Sequence, residues 1–396
     1  MKKTSRFLAL LLVLAMLGGA FSGCAQVATE PDKTQEPAAP TEAAATEAPT
    51  PTDSAIDYSG IKIGVLMTAT KEDGGWNQSF YNAFEQIKEQ LKLSDEQVVY
   101  MEGISEASDA INTMNLLISD GCNMIYGTSA GYKDATTSVA AQYVGTEGVY
   151  FHQFEGVTAP NLGSFSIRHE AADFILGYLC AKMSPTDKLG FVAGFPVPTV
   201  ISCIDAWASG ARYANPNATV KLLWANHWRD TAKEKEAALS LLDEGITCIG
   251  YQGSTNAVAQ AVTEKDGYTT GYHIDMYDYA PKAMLASFMW NWTPILLEQI
   301  NSVVTGTWTN ETRFYGIAEG AASTSELNAD IIPADILTEA EAVKAKLVSG
   351  EIKVFETPVM DNKGNVQLES GEFSNEQLLS TMWLLDNVIG TIPGQE

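Results

Sequence analysis

From Tyr58 onward, short apolar and β-branched runs alternate with longer amphipathic stretches, and this alternation constrains the fold more than any other feature. Strict alternation of strands and helices builds parallel sheets with helices on both faces. The predicted strands are 61–68, 97–102, 122–129, 148–154, 161–167, 188–195, 218–228, 246–254, 268–275 and 282–290. The predicted helices between them include 77–91, 105–121, 170–183, 200–216, 231–245 and 256–267. The sequence therefore predicts an α/β protein with doubly wound parallel sheets.

The alternating pattern forms two series, one that ends near Phe165 and one that starts near Arg168. A chain of 396 residues is long enough for two globular lobes, each with its own core. We therefore expect two doubly wound parallel-sheet lobes joined by a hinge. The expected boundaries are 58–165 and 277–325 for lobe 1, and 166–276 and 326–396 for lobe 2.

The N-terminal residues have the layout of a secretory signal peptide. A basic start is followed by an apolar stretch over Phe7–Leu17 and by small residues that end in Cys24. The apolar stretch is too short for a stable membrane span. Because "FSGC" resembles a bacterial lipobox, we predict a lipoprotein signal peptide over 1–24 and lipidation at Cys24. The protein would then be anchored by lipid on the outer face of the cell membrane; plain cleavage and secretion is the alternative.

Residues 25–57 consist almost only of Ala, Thr, Pro, Glu and Asp, and no aromatic residue occurs among them. Such a segment buries too little apolar surface to offset the entropy lost on folding. We predict a disordered tether that is semi-extended because of its prolines.

The charge and the cysteines exclude several kinds of partner. A formal net charge of −25 argues against nucleic acid, because phosphate contacts need clustered Lys and Arg. The sequence has no zinc-binding spacing and no phosphate-binding loop, so no metal or cofactor is predicted. The cysteines beyond the lipobox lie in apolar contexts and are predicted to be buried thiols, with a disulfide as the alternative. These are Cys122, Cys180, Cys203 and Cys248.

Aromatic residues are concentrated where the predicted strands end. In doubly wound sheets, ligands bind at the carboxyl ends of the strands, where loops lead into helices. These loops are rich in aromatic and amide groups, which indicates a stacking pocket for a flat heteroaromatic ring or a sugar. The aromatic residues are Trp76, Tyr132, Phe154, Phe195, Trp228, Tyr251, Tyr277, Trp290 and Trp292.

Several segments, in this order, resemble the basic membrane protein family. They are the signal and lipobox, "GWNQSFYNAF", "SFSIRHEAADFILGYLCA" and "GYHIDMYDYAPKAMLASFMWNW". The family consists of ABC-transporter substrate-binding lipoproteins with the type I periplasmic binding protein fold. The resemblance extends from residue 58 to about 320 and implies a small purine-type ligand, a partner ABC permease in the membrane, and no catalytic activity. Characterised members bind purine nucleosides, and relatives are associated with purine bases or riboflavin.

The resemblance also implies site residues. Trp76 and Trp228 match the two aromatic residues that stack on the base from either lobe, and Asn77 and Asp275 match polar residues of the same motifs. An early Asp and a late Lys, which hold the ribose in nucleoside binders, have no equivalent in this chain. These departures favour a free base, or another flat ring, over a nucleoside.

Further candidates have a structural alternative beside the functional one. Asn77 is able to cap the helix that follows it as well as bind ligand, and Asp275 is able to cap a turn. One of Trp290 and Trp292 is expected to face the cleft. Other strand-end candidates for ligand contact are Ser129, Tyr132, Glu155 and Gln252.

Two other functions remain open from the sequence. "GTSAG" at 127–131 matches a nucleophile elbow after a strand, which is typical of a serine hydrolase. A hydrolase also needs an acid and a histidine at the same sheet edge, and the plainer interpretation is a ligand-binding loop. We therefore predict a monomeric binding protein rather than an enzyme. A receptor that presents its ligand to a membrane sensor is the other alternative.

Overall fold

The computed structural model describes residues 56–395. The predicted signal peptide, Cys24 and the tether up to residue 55 lie outside these residues. In chain order the strands are β1 (Ile63–Leu66), β2 (Val98–Met101), β3 (Met124–Gly127), β4 (Tyr150–Phe154), β5 (Leu162–Ile167), β6 (Lys188–Ala193), β7 (Thr219–Trp224), β8 (Cys248–Gln252), β9 (Tyr268–Gly271), β10 (Met284–Trp290), β11 (Thr312–Tyr315), β12 (Ala322–Thr324), β13 (Val359–Met360), β14 (Val366–Leu368) and β15 (Val388–Ile389). The helices are α1 (Trp76–Leu91), α2 (Ser108–Ser119), α3 (Lys133–Gln142), α4 (Glu170–Met183), α5 (Pro198–Ala214), α6 (Thr231–Asp243), α7 (Ala257–Thr263), α8 (Thr293–Val304), α9 (Ala334–Ser349) and α10 (Asn375–Leu378).

The first sheet has the strand order β11-β5-β4-β3-β1-β2, and all of its strands are parallel. Successive side chains of β1 point to opposite faces: Val65 packs with α1 residues such as Phe84, whereas Leu66 packs with α2 residues such as Met114. Because both faces are covered, all four residues of β1 are buried. This is the doubly wound arrangement that the alternation predicts.

The second sheet has the order β12-β10-β9-β8-β6-β7-β15, and only β12 runs antiparallel to its neighbour. Its helices α4 and α5 cross at two glycines. A Cβ at Gly177 would lie 1.8 Å from the carbonyl oxygen of Trp207, and a Cβ at Gly210 would lie 1.9 Å from that of Phe174. Only glycine permits the two backbones to approach this closely.

The strand pairing moves one expected boundary between the lobes. β10 pairs with β9, and β12 pairs with β10, so residues 284–290 and 322–324 lie in the second sheet and not in lobe 1. Of residues 277–325, helix α8 and strand β11 belong to lobe 1, because α8 packs on α1 and β11 pairs with β5. β5 itself extends to Ile167, slightly beyond the expected boundary at 165. In the described part of the chain, the backbone therefore crosses between the sheets after β5, β10 and β11.

The C-terminal segment adds to the second sheet. β15 pairs with β7, and the buried carboxylate of Asp205 in α5 accepts a hydrogen bond from the backbone N–H of Leu385 at 2.7 Å. The four cysteines of the described residues are free and buried, which confirms the prediction of buried thiols.

Candidate functional site

The turn before Trp76 is organised by an aspartate. The carboxylate of Asp73 accepts hydrogen bonds from the backbone N–H groups of Gly75 at 2.9 Å and Gln78 at 3.0 Å. It also accepts from the side-chain Nδ2 of Asn77 at 2.9 Å, while Asn77 Oδ1 accepts from the backbone N–H of Thr68 at 3.0 Å. The expected capping by Asn77 is therefore wrong: Asp73 satisfies the free N–H groups of α1, and buried Asn77 links this turn to the end of β1.

Trp76 is half-buried and lies where the two lobes meet. Its indole Nε1 donates to the carbonyl oxygen of Thr128 at 3.0 Å, which fixes the ring against the end of β3. Its ring centroid lies 5.0 Å from that of Phe154 in lobe 1 and 5.4 Å from that of Trp290 at the end of β10, both edge to face. Trp76 therefore makes aromatic contacts with both lobes.

The tryptophan that ends β10 and the one two residues later have different surroundings. Their rings are stacked at 5.4 Å, but the Trp292 ring also stacks on Phe80 at 4.0 Å, and its Nε1 donates to Ser79 Oγ at 2.8 Å. Trp292 is completely buried and belongs to the core of lobe 1. Both rings lie 5.4 Å from that of Trp76, edge to face, and Trp290 makes this contact from the second sheet.

His273 is a residue of this cluster that the sequence reasoning missed. Trp290 Nε1 donates to His273 Nδ1 at 2.8 Å, and burial lowers the pKa of His273 to about 4. An indole N–H is only a donor, so Nδ1 must be the acceptor and the neutral ring carries its proton on Nε2. This N–H lies 3.5 Å from Ser254 Oγ, a long and weak contact. The only sequence signal was a histidine in the aromatic segment "GYHID".

Asp275, which the resemblance implies as a ligand-binding residue, does not lie beside Trp76. Its side chain is exposed, and its Oδ1 accepts a hydrogen bond from the backbone N–H of Tyr277 at 3.0 Å. The structural alternative of a turn cap is therefore observed. His273 has a positive φ of 74°, so the chain turns directly after β9, and it is this turn that brings His273 to Trp76 and leaves Asp275 outside.

Gln252 and Trp228 lie at the strand ends of lobe 2. Gln252 ends β8 and is 5% exposed, and its Oε1 has no hydrogen-bond partner in the described part of the chain. Trp228 is 40% exposed; its ring lies 5.1 Å from that of Phe195, and a Cβ at Gly194 would lie 2.9 Å from its indole. Trp228 thus lies on the rim of lobe 2, and no ring contact between it and Trp76 is present among residues 56–395.

Two other strand-end candidates have local partners. Ser129 Oγ donates to a carboxylate oxygen of Glu106 and accepts from the N–H of Gly131 at 3.2 Å, so it caps a short turn. Tyr132 is completely buried, and its hydroxyl donates to the carbonyl oxygen of Ile104 at 2.8 Å. Tyr132 therefore belongs to the core, and the hydrogen-bond partners of Ser129 in the described residues include no histidine that would activate it as a nucleophile.

Glu155 lies in a small polar pocket at the crossing between β5 and α4. It has a φ of 49°, and its carboxylate accepts from Ser166 Oγ at 3.2 Å. Burial raises the pKa of this carboxyl. Arg168 and His169 line the same pocket, and Arg168 donates to Asn375 Oδ1 at 2.6 Å. Glu155 is thus near the hinge.

His169 connects α4 to α5. Its Nδ1 lies 2.7 Å from Asp173 Oδ2 and its Nε2 lies 3.2 Å from Ser202 Oγ. Burial opposes protonation of His169, but the carboxylates of Glu170 and Asp173 outweigh it and raise the pKa. Ser202 is buried in a helix and also bonds to the carbonyl oxygen of Thr199 at 3.1 Å, so this serine, histidine and aspartate serve to hold helices together.

The described residues offer few other chemical features. Residues 56–395 contain no group of three or more His, Cys, Asp or Glu side chains that are placed to hold a metal ion. In the same part of the chain, no helix combines the length and the apolar character that a membrane crossing requires.

Comparisons with known proteins identify the family of the chain. A family model described as "ABC transporter substrate-binding protein PnrA-like" matches residues 61–357. A purine-binding protein of Brucella abortus is 28% identical over 322 residues, which cover 81% of this chain and 91% of that protein. A putative ABC transporter glucose-binding protein of Haloferax volcanii is 26% identical over 81% of this chain and 78% of its own length.

A solved structure supports the fold. The ABC transporter solute-binding protein from Conexibacter woesei superposes with a TM-score of 0.63 at 19% identity, covering 75% of this chain and all of that one. The predicted type I periplasmic binding protein fold is confirmed. With three quarters of the sequence matched by the family model, the chain belongs to the Bmp family of ABC transporter substrate-binding proteins.

Proposed function

We propose that this substrate-binding protein holds a purine base between its lobes and delivers it to an ABC permease. The observation that carries the proposal is the contact of Trp76 in lobe 1 with Trp290 and His273 of lobe 2, at 5.4 Å and 6.2 Å between ring centroids. Proteins of this architecture open and close by hinge bending around their ligand. When the lobes open, a flat ring enters where these aromatic side chains meet.

Stacking supplies much of the affinity for such a ring. Ring pairs contribute about 0.5–1.5 kcal/mol beyond the area that they bury. Trp76 is held in place by its hydrogen bond to Thr128 and Trp290 by its hydrogen bond to His273, so neither indole loses much side-chain freedom on binding. Trp228, on the rim of lobe 2, forms the opposing wall after closure.

Polar side-chain atoms at the strand ends of lobe 2 determine which ligand rings bind, through hydrogen bonds to the edge of the ring. The Nε2–H of His273 is a donor without a short partner, and Gln252 Oε1 is a buried acceptor without one in residues 56–395. Both lie at the ends of adjacent parallel strands, since β8 pairs with β9. A purine base presents ring-nitrogen acceptors beside N–H donors, and an unpaired buried polar group costs about 1–3 kcal/mol.

A free base fits this environment better than a nucleoside. Trp290 and His273 pack aromatic rings beside Trp76, and Asp275, the carboxylate that the resemblance selects, is exposed and turned away from them, which leaves it unsuited to hold a ribose there. The purine-binding relative supports this choice. The glucose-binding relative favours a sugar, which also stacks on aromatic residues. Asn77, Ser129, Tyr132 and Glu155 have internal partners and are supporting residues in this proposal.

The experiment is a calorimetric titration of the mature protein with adenine, hypoxanthine, adenosine, riboflavin and glucose. We expect the bases to bind more tightly than adenosine. A Trp76→Ala variant should lose at least about tenfold in affinity for the base, because it loses both stacking and burial. Trp224→Ala, which changes a tryptophan of β7 whose indole donates to the carbonyl oxygen of Thr391, is the matched control and should bind like the wild type. Tight binding of glucose without any purine would contradict the proposal.

The protein acts, in this proposal, as a monomer that is tethered to the extracytoplasmic face of the membrane through lipidated Cys24. The lipobox-like "FSGC" and the Pro-rich segment 25–57 support the anchor and the tether. The permease partner follows from membership in a family of ABC transporter substrate-binding proteins.

A further inference from the structure

Glu234 is a buried carboxylate without a cation. It lies in the first turn of α6 and is 1% exposed, and no Lys or Arg forms an ion pair with it among the described residues. Its Oε2 instead accepts hydrogen bonds from the hydroxyls of Tyr251, at 2.7 Å, and Thr255. Its Oε1 has no partner in residues 56–395.

The two hydroxyls bracket the loop that follows β8. The Tyr251 hydroxyl also accepts from the backbone N–H of Thr255 at 2.7 Å, and the loop turns so tightly over this ring that a Cβ at Gly253 would lie 2.7 Å from the hydroxyl oxygen. Thr255 Oγ1 then accepts from the N–H of Ala257 at 3.1 Å, at the start of α7. Glu234 is the acceptor on which both ends of the loop converge.

This loop touches the proposed ligand site at several points. It directly follows Gln252, the last residue of β8, whose Oε1 has no hydrogen-bond partner in the described residues. The N–H of Ser254 donates to the carbonyl oxygen of Trp228 at 3.1 Å, and Ser254 Oγ lies 3.5 Å from His273 Nε2. A shift of the loop would therefore move Gln252 and Trp228 together.

The buried position of the Glu234 carboxylate is unfavourable for its charged form. Burial raises its pKa even though the hydrogen bonds from Thr255 and Tyr251 oppose the shift; nearby Asp230 adds to the rise and His227 lowers it. A buried charge without a cation is unfavourable for folding. Side chains that are unfavourable for stability are expected at functional positions.

We propose that Glu234 is a positioning residue that holds the end of β8 and the loop after it, residues 251–255, in the shape that presents Gln252 to the ligand and supports the backbone of Trp228. The expected effect of Glu234 on ligand affinity rests on the proposed binding function. The expected effect of Glu234 on the shape of the loop is independent of any ligand.

The test compares Glu234→Ala and Glu234→Gln with Glu236→Ala, a matched control because Glu236 is exposed on the same helix. Hydrogen exchange of the Ser254 and Thr255 amides should be at least about tenfold faster in Glu234→Ala, since the loop loses its shared acceptor. In Glu234→Gln the amide oxygen still accepts from both hydroxyls, so exchange should stay near that of the control. Unchanged exchange in Glu234→Ala would overturn the inference.

Adenine titration of the same proteins provides the second readout. If the wild type binds adenine, Glu234→Ala should bind it roughly tenfold more weakly, and Glu234→Gln should restore most of the affinity. Equal affinity of Glu234→Ala and the wild type would overturn the link to the site. If the wild type binds no purine, the proposed function fails, and the exchange experiment still decides whether Glu234 positions the loop.

Discussion

His273 shows how a single hydrogen bond decides the chemistry of a side chain. Trp290 Nε1 is able only to donate, so it fixes the histidine as a neutral ring with its proton on Nε2. Burial strengthens this assignment because it lowers the pKa of His273 to about 4. The proposed site therefore presents a donor at neutral pH without presenting a positive charge, which suits the neutral heteroaromatic ligand that we propose.

This lowered pKa predicts a pH dependence of stability. The unfolded chain binds a proton near pH 6.5, whereas the folded one does so only near pH 4, so the free energy of unfolding falls as the pH decreases between these values. A shift of this size corresponds to about 3 kcal/mol. Urea unfolding of wild type and His273→Gln at pH 7 and pH 4.5 measures it, and the variant should lose less stability on acidification. His152, whose pKa burial lowers to about 3, is present in both proteins and cancels in the comparison. Identical losses would contradict the neutral, buried assignment.

The sequence predicted the residues of the proposed site only in part. Strand-end position and aromatic character selected Trp76 and Trp290, and both meet between the lobes. The sequence suggested Asn77 as the cap of α1, whereas Asp73 caps it. The choice between these two residues depends on the turn geometry and not on spacing alone. The same holds for His273 and Asp275, where a left-handed backbone at His273 decides which side chain turns inward.

At the level of elements, each of the ten predicted strands overlaps a strand of the structure, because buried parallel strands leave a continuous apolar signal. The observed strands are shorter than the predicted ones. For example, residues 218–228 form a strand only over Thr219–Trp224, since Asn226 has a positive φ of 51°. The membership of β10 in the second sheet was not predictable from its composition. It depends on pairing with β9, a neighbour in space that apolar periodicity does not identify.

The crossing of α4 and α5 predicts a sensitive position. A Gly177→Ala substitution places a methyl group 1.8 Å from the carbonyl oxygen of Trp207, so the helices must separate. We expect a loss of about 1–3 kcal/mol in the free energy of unfolding, as for other overpacked cores. Gly60→Ala is the control, because nothing lies within 4 Å of a Cβ there. Thermal and urea unfolding measure the difference, and equal stability of the two variants would show that the crossing is looser than the structure indicates.

For the whole molecule, the crossings between the lobes place the hinge beside the site. His169, at the crossing after β5, has its ring 6.0 Å from that of Trp290, which ends β10 at the next crossing. Trp290 in turn contacts Trp76. In the proposed function, lobe closure and ligand contact share the same side chains, so a ligand that fits between Trp76 and Trp290 has different contacts in the open and closed forms. Such a difference is what a ligand needs in order to shift the equilibrium toward closure.

The proposed anchor makes a prediction for the full chain in a bacterial host. If Cys24 is lipidated, the protein should take up an alkyne-labelled fatty acid and sediment with membranes, because a lipid and not a helix holds it there. Cys24→Ser should abolish the label and release the protein from the membrane fraction. Cys122→Ser changes a buried cysteine of lobe 1 and should retain both the label and the membrane association. Membrane association of Cys24→Ser at the wild-type level would show that another part of the chain provides the attachment.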